Sequence, residues 1–162
     1  ANILTGNGAA NQLNGGDGVF FFPRHELAMG ERYVLRVSHS DYAVERYFPV
    51  ELKDPKCTNI RIVLSGGQTI SGMVHNVTGA ALASVAVTAY DLNTNTFDPL
   101  GAVEKVGVSD PTGHYTITNV KPGVKKIMAR LNGYATNGRQ TLNVEANKNV
   151  DNVDIVLGEV DK

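Results

Sequence analysis

The sequence predicts an all-β protein made of tandem Greek-key β-sandwich modules, the first of them incomplete. Three observations carry that expectation. Apolar and polar residues alternate with a period of two through most of the chain, turn-forming residues punctuate those runs, and the second half repeats the order of the first. Helical spacing is nearly absent. The stretch Leu27 to Glu31 is too short to nucleate a helix and reads as a turn around Gly30.

A Gly- and Asn-rich lead, Ala1 to Gly16, precedes the first alternating run, in which Tyr33, Leu35 and Val37 are interleaved with Val34, Arg36 and Ser38. Ile60, Ile62 and Leu64 alternate with Asn59, Arg61 and Val63 and predict a further strand. The same pattern returns in Thr69 to Val74, Ala83 to Tyr90, Tyr115 to Ile117 and Val153 to Leu157, all rich in β-branched or aromatic residues. Asn76-Val77-Thr78-Gly79 is expected to close the hairpin after Val74. Asp110-Pro111-Thr112-Gly113 and Lys121-Pro122-Gly123 are placed to open the strands that follow them. Asp91 to Pro99 reads as a polar surface connection. The inward phase of these strands predicts a core of Leu35, Val37, Ile60, Ile62, Leu64, Val74, Val85, Val87, Ile117, Ile127, Ile155 and Leu157.

An internal repeat organises these elements. Asp17-Gly18-Val19-Phe20 parallels Thr112-Gly113-His114-Tyr115, and Met29-Gly30 parallels Pro122-Gly123. Asp41-Tyr42-Ala43 parallels Gly133-Tyr134-Ala135, and Ile60 to Leu64 parallels Val153 to Leu157. A constant order at domain-sized separation indicates two copies of one module rather than a solenoid. The boundary falls at Ser65-Gly66-Gly67-Gln68, giving a partial module over residues 1–65 and a complete one over 66–162.

The ordered succession Ile70-Ser71-Gly72-Met73-Val74, Gly79, Ala83, Val85-Ala86-Val87, Asp110 to Ile117, Pro122-Gly123 and Gly133-Tyr134-Ala135 resembles the carboxypeptidase regulatory-like domain. The resemblance covers Thr69 to Leu157 and implies a transthyretin-like (prealbumin-like) sandwich. Asp17 to Leu64 resembles only the later part of the same domain, without its opening hairpin. The resemblance also implies that such a module accompanies metallocarboxypeptidases and polysaccharide-degrading enzymes.

Composition narrows the function classes. With 15 basic and 16 acidic residues the chain has a formal net charge of -1, which offers no field to gather nucleic acid or an anionic membrane. No apolar run approaches the ~18–20 residues that span a bilayer. The first residues do not read as a signal peptide, so a secreted chain is expected to have lost its leader. The single cysteine, Cys57, can neither close an internal disulfide nor build a structural zinc site.

No nucleophile elbow, phosphate-cradling loop or paired-histidine metal motif is present among His25, His39, His75 and His114, so neither an enzyme nor a cofactor is expected. His75 and His114 are the one pair that the second module could bring together, and two imidazoles alone make an incomplete metal site. Asp91, Asn93, Asn95 and Asp98 place oxygen-bearing side chains along one loop, a weak calcium pattern. Thr96 and Ala102 stand where a calcium loop of the helix-loop-helix type needs Gly and Glu, so a solvated turn is the plainer reading. Asn76-Val77-Thr78 is a formal N-glycosylation acceptor.

These features predict a non-catalytic structural or assembly protein at the cell surface or outside the cell, whose main partner is other copies of itself. The incomplete first module would expose a core face and unpaired strand edges, which a strand from a neighbouring copy could cover, linking chains into a filament or surface layer. The candidate donor is Ala1 to Leu4, with Ile3 and Leu4 as its apolar residues, ahead of the tail Gly158 to Lys162. The alternative is an accessory or carbohydrate-binding module of a larger secreted enzyme, with Tyr47, Phe48, Tyr90 and Phe97 as the aromatic residues that could meet a glycan.

Overall fold

A computed structural model of the chain describes residues 2–5, 30, 32–51, 61–92, 103–135 and 139–159. The described residues contain strands and no helix. The strands are β1 (Asn2–Thr5), β2 (Arg32–His39), β3 (Tyr42–Glu51), β4 (Gln68–Asn76), β5 (Ala86–Asp91), β6 (Val103–Val108), β7 (His114–Val120), β8 (Gly123–Arg130), β9 (Arg139–Val144) and β10 (Ile155–Leu157).

Two sheets face each other as a sandwich. One has the order β10-β4-β7 and the other β6-β5-β8-β9. Alternation decides which side chains meet between them. Ile70 and Val74 of β4, Tyr115 and Ile117 of β7, and Ile155 and Leu157 of β10 are buried against Val87 and Ala89 of β5, Ile127 and Ala129 of β8, and Val144 of β9. The residues between them in sequence face outward, as in the exposure pattern of β7, where His114, Thr116 and Thr118 are exposed. The Lys121-Pro122 turn carries the chain from β7 in the smaller sheet to β8 in the larger one.

Backbones come closest at Gly72, where a Cβ would collide with the carbonyl of Val153. There residues 149–154 run alongside β4, with Ser71 N–H donating to Val150 O at 2.9 Å and Val153 N–H to Ser71 O at 3.0 Å. The buried Tyr115 hydroxyl donates to Val153 O at 2.7 Å. Burial first, and the charge of Asp154 second, push that phenol well above its ordinary ionisation range.

The third sheet, β1-β2-β3, is formed by a hairpin of β2 and β3 and by β1, which pairs parallel to β2 with Ile3 opposite Val34 and Leu4 opposite Leu35. Tyr33, Leu35, Ala43 and Val44 are buried in this part of the chain. The hairpin end is held by side chains of the sandwich. Lys105 Nζ donates to His39 O at 2.8 Å, Asn119 Nδ2 donates to Ser40 O at 2.9 Å, and Lys121 Nζ meets Glu45 Oε2 at 2.5 Å.

Several expectations are corrected. Residues 61–67 form no strand, although Ile62 and Leu64 are half-buried and Arg61 and Val63 exposed, in the predicted phase. β10 is a strand because β4 offers it an edge, whereas among the described residues nothing offers 61–67 a ladder and only the Ala43 N–H to Ser65 O bond is recorded there. Ile60 lies outside the described residues, and Val37 is half-buried rather than core. The turn after β4 returns for a single bridge, His75 to Ala81, before the chain leaves for the other sheet. The next strand starts at Ala86 and not Ala83, because Ser84 sits at a φ of 60° that breaks the extended run. Strands β3, β6 and β9 have no counterpart among the alternating runs described above, although Leu142 and Val144 in β9 carry the alternating signal.

Neighbouring residues of β10 provide a direct test of this packing. Ile155→Ala empties a fully buried position and should cost about 2–5 kcal/mol, whereas Val156→Ala, one residue along on the exposed side, should cost under about 1 kcal/mol. Urea unfolding midpoints of the two variants check this, and equal midpoints would reverse the assigned facing.

Candidate functional site

Three of the polar residues singled out by sequence, His75, Asn76 and His114, gather at one end of the smaller sheet. β4 ends at Asn76 where β7 begins at His114, since Met73 and His114 are register partners, so the two loops at that end lie side by side. Both have the form Asx-Xaa-Thr-Gly and the same hydrogen bonding. Asn76 Oδ1 accepts from Thr78 N–H at 3.0 Å, Thr78 Oγ1 at 2.7 Å and Ala80 N–H at 2.9 Å. Asp110 Oδ1 accepts from Thr112 N–H at 2.8 Å, Thr112 Oγ1 at 2.6 Å and His114 N–H at 3.1 Å. Gly79 and Gly113 close them with φ of 86° and 82°, which a side chain would strain. The Thr112 hydroxyl holds the Asp110 carboxyl below its usual range against the opposing effect of desolvation, and the N–H groups of Thr112 and His114 and the charge of His114 add to the lowering. The glycosylation candidate Asn76 is thus the oxygen acceptor that shapes its own turn.

Of the calcium candidates, Asp91 ends β5, and Asn93, Asn95 and Asp98 lie outside the described residues. Asp91 Oδ1 stands 3.5 Å from Nζ of Lys125, its cross-strand partner on β8. Lys125 is fully buried, in phase with Ile127 and Ala129. Sequence reasoning missed this ion pair because Lys125-Lys126 looks like a solvated couple. The alternation of β8 was the signal that could have found it.

The histidines serve different places. His25 and Cys57 fall outside the described residues. His39 sits at the β2–β3 turn, where its Nδ1 accepts from Asp41 N–H at 3.1 Å and its ring lies 5.3 Å from that of Tyr42. His75 and His114 share the outward face of the smaller sheet. Ser109, unmarked in the sequence, is buried and joins two segments, donating from Oγ to Leu82 O at 2.7 Å and accepting from Val85 N–H at 2.9 Å. Among the aromatic candidates Tyr47 is exposed on β3 and Tyr90 half-buried on β5. Phe48 lies in β3, and Phe97 is outside the described residues. Ile3 and Leu4 belong to β1, paired with β2 of their own chain. No helix among the described residues is long and apolar enough to cross a membrane.

A sequence profile of the carboxypeptidase regulatory-like domain matches residues 69–158, the span that builds the sandwich. No curated protein matches the chain. Among solved structures, the minor pilin GBS52 of Streptococcus agalactiae is similar with a TM-score of 0.44 and 21% identity, over 76% of this chain and 56% of that one. The major pilin subunit BcpA of Bacillus cereus is similar with a TM-score of 0.44 and 14% identity, over 72% and 34% of the two chains. The 3-chlorocatechol 1,2-dioxygenase of Rhodococcus opacus is similar with a TM-score of 0.42 and 15% identity, over 58% and 61%. The chain spans less than two thirds of the length of each, and pilins and an oxygenase side by side carry no argument about activity.

The Asp110 turn yields a pH-dependent prediction. A carboxyl held below its ordinary value of 3.8 contributes stability above that pH and loses it as the pH falls through the folded-state value. Asp110→Asn keeps an acceptor oxygen and should fold, as the Asn76 turn does, with an unfolding temperature below wild type at neutral pH and a gap that closes in acid. Asp110→Ala should lose more at neutral pH. Thermal unfolding of the three proteins between pH 7 and pH 2.5 checks this; a gap between wild type and Asp110→Asn that is constant with pH would refute the assignment.

Proposed function

Because the chain belongs to the carboxypeptidase regulatory-like domain family over residues 69–158, we propose that it is a non-catalytic structural and assembly protein of the cell surface or exterior, built of two related modules. The observation that carries this reading is the destination of the polar side chains. Asn76, Asp110, Ser109, Ser71, Asp154 and Tyr115 each close a turn or a backbone seam. Groups committed in this way shape a scaffold and are not poised to move protons or attack a substrate. The tandem arrangement is supported by the β2–β3 and β8–β9 hairpins, which sit at corresponding places in the sequence repeat.

Assembly follows from β1. In one chain Asn2–Thr5 lies along β2, so an incoming strand from another copy must take the same place. Exchange of β1 between copies would preserve every backbone bond of that ladder and link chains head to tail, an inexpensive route to oligomers.

Light scattering coupled to size-exclusion chromatography, with electron microscopy of concentrated samples, tests the reading. Oligomers should grow with concentration and disappear in the doubly substituted Ile3→Asp, Leu4→Asp chain. A wild-type protein that stays monomeric from micromolar to millimolar concentration would rule out self-assembly.

A further inference from the structure

The outward face of the smaller sheet carries three side chains with metal-ligating atoms, Met73, His75 and His114. Along β4, Ile70, Gly72 and Val74 face the core, so Ser71, Met73 and His75 face out. On β7, Tyr115 is buried and His114 exposed, on that same outward face. Met73 and His114 are direct cross-strand partners, which sets their Cβ atoms about 4.5–5.5 Å apart. His75 follows Met73 by two residues, about 7 Å along the same strand. Imidazole nitrogens and a thioether sulfur extend several ångströms beyond Cβ. The three donors can therefore converge on one ion at bond lengths of about 2.0–2.3 Å.

We propose that Met73, His75 and His114 form a binding site for monovalent copper. A backbone contact of His75 supports it. The Nδ1 of His75 lies 3.1 Å from the carbonyl oxygen of Asn76, and a carbonyl only accepts, so a neutral ring that makes this bond donates from Nδ1 and leaves Nε2 to ligate. A backbone acceptor behind one imidazole nitrogen is the usual way a ligating histidine is oriented. The backbone beneath the other two donors is also fixed: Met73 N–H is held by Asp154 Oδ1 at 2.9 Å and His114 N–H by Asp110 Oδ1 at 3.1 Å. These bonds engage one oxygen of each neighbouring carboxylate and fix the backbone from which the two donor side chains project.

Donor chemistry selects the ion. Calcium and magnesium require oxygen ligands. Two imidazoles with a thioether suit a soft monovalent cation, copper(I) before zinc. Met73, cross-strand from His114 and two residues before His75, adds a thioether to the two imidazoles. Met73 is 36% exposed, and Val156, the register partner of His75 on β10, is 45% exposed, so an ion can enter from solvent beside an apolar flank.

Anaerobic titration of copper(I) against the coloured chelator bicinchoninate tests the site. The full chain carrying Cys57→Ser is used, because a free thiolate would compete for the same ion. One copper(I) per chain should be retained, and Met73→Leu, His75→Gln and His114→Gln should each weaken retention at least tenfold, with His39→Gln unchanged. Thermal unfolding shows whether each variant is folded, and in the unsubstituted ligand set silver(I) should shift the NMR signals of the His75 and His114 rings and the Met73 methyl together. Failure to retain one equivalent, or retention unaltered by all three substitutions, overturns the proposal, as does silver(I) leaving those three signals in place.

Discussion

The close run of residues 149–154 along β4 is the constraint on which the sandwich depends. β4 is the central strand of its sheet, with β7 on one side and β10 on the other. Gly72 lets the Val153 carbonyl approach where a methyl group would not fit. Around that contact Thr69 N–H is held by the Asn149 side chain, the Ser71 hydroxyl by Asp151 and the Met73 N–H by Asp154. The seam delivers β10 in the phase that buries Ile155 and Leu157 and leaves Val156 outside. It also supplies the oxygen that satisfies the buried Tyr115 hydroxyl, whose desolvation would otherwise weigh against folding.

A second level of order comes from polar groups acting on backbone. The Asn76 and Asp110 turns solve the same problem at adjacent places: an Asx oxygen gathers three donors and a glycine takes the left-handed position. Ser109 does comparable work inside the protein, fixing the 82–85 segment against the end of β6. Asp91 and Lys125 show the other way of tolerating polarity, with a buried cation placed against a carboxylate at the end of its neighbour strand.

Three sandwich side chains, Lys105, Asn119 and Lys121, reach the end of the β2–β3 hairpin, two of them through backbone carbonyls. Carbonyl acceptors make this attachment depend on hairpin shape more than on hairpin sequence.

Period-two alternation was by itself enough to determine the all-β class, the facing of β4, β7 and β10, and most of the core, because each of those strands has one dry face and one wet face. The Asx-Thr-Gly turns were legible for the same local reason: five consecutive residues contain all the bonding they need. Tertiary structure decided what depends on a distant partner. Ile62 and Leu64 keep their alternation yet form no strand, because a ladder needs an edge that local sequence cannot supply. Lys125 is buried because Asp91 lies across from it, and Ser109 matters because Leu82 and Val85 fold back onto it. The alignment of His114 with Met73 emerged only from the β4–β7 register, since spacing along the chain does not say which residues a sheet sets side by side.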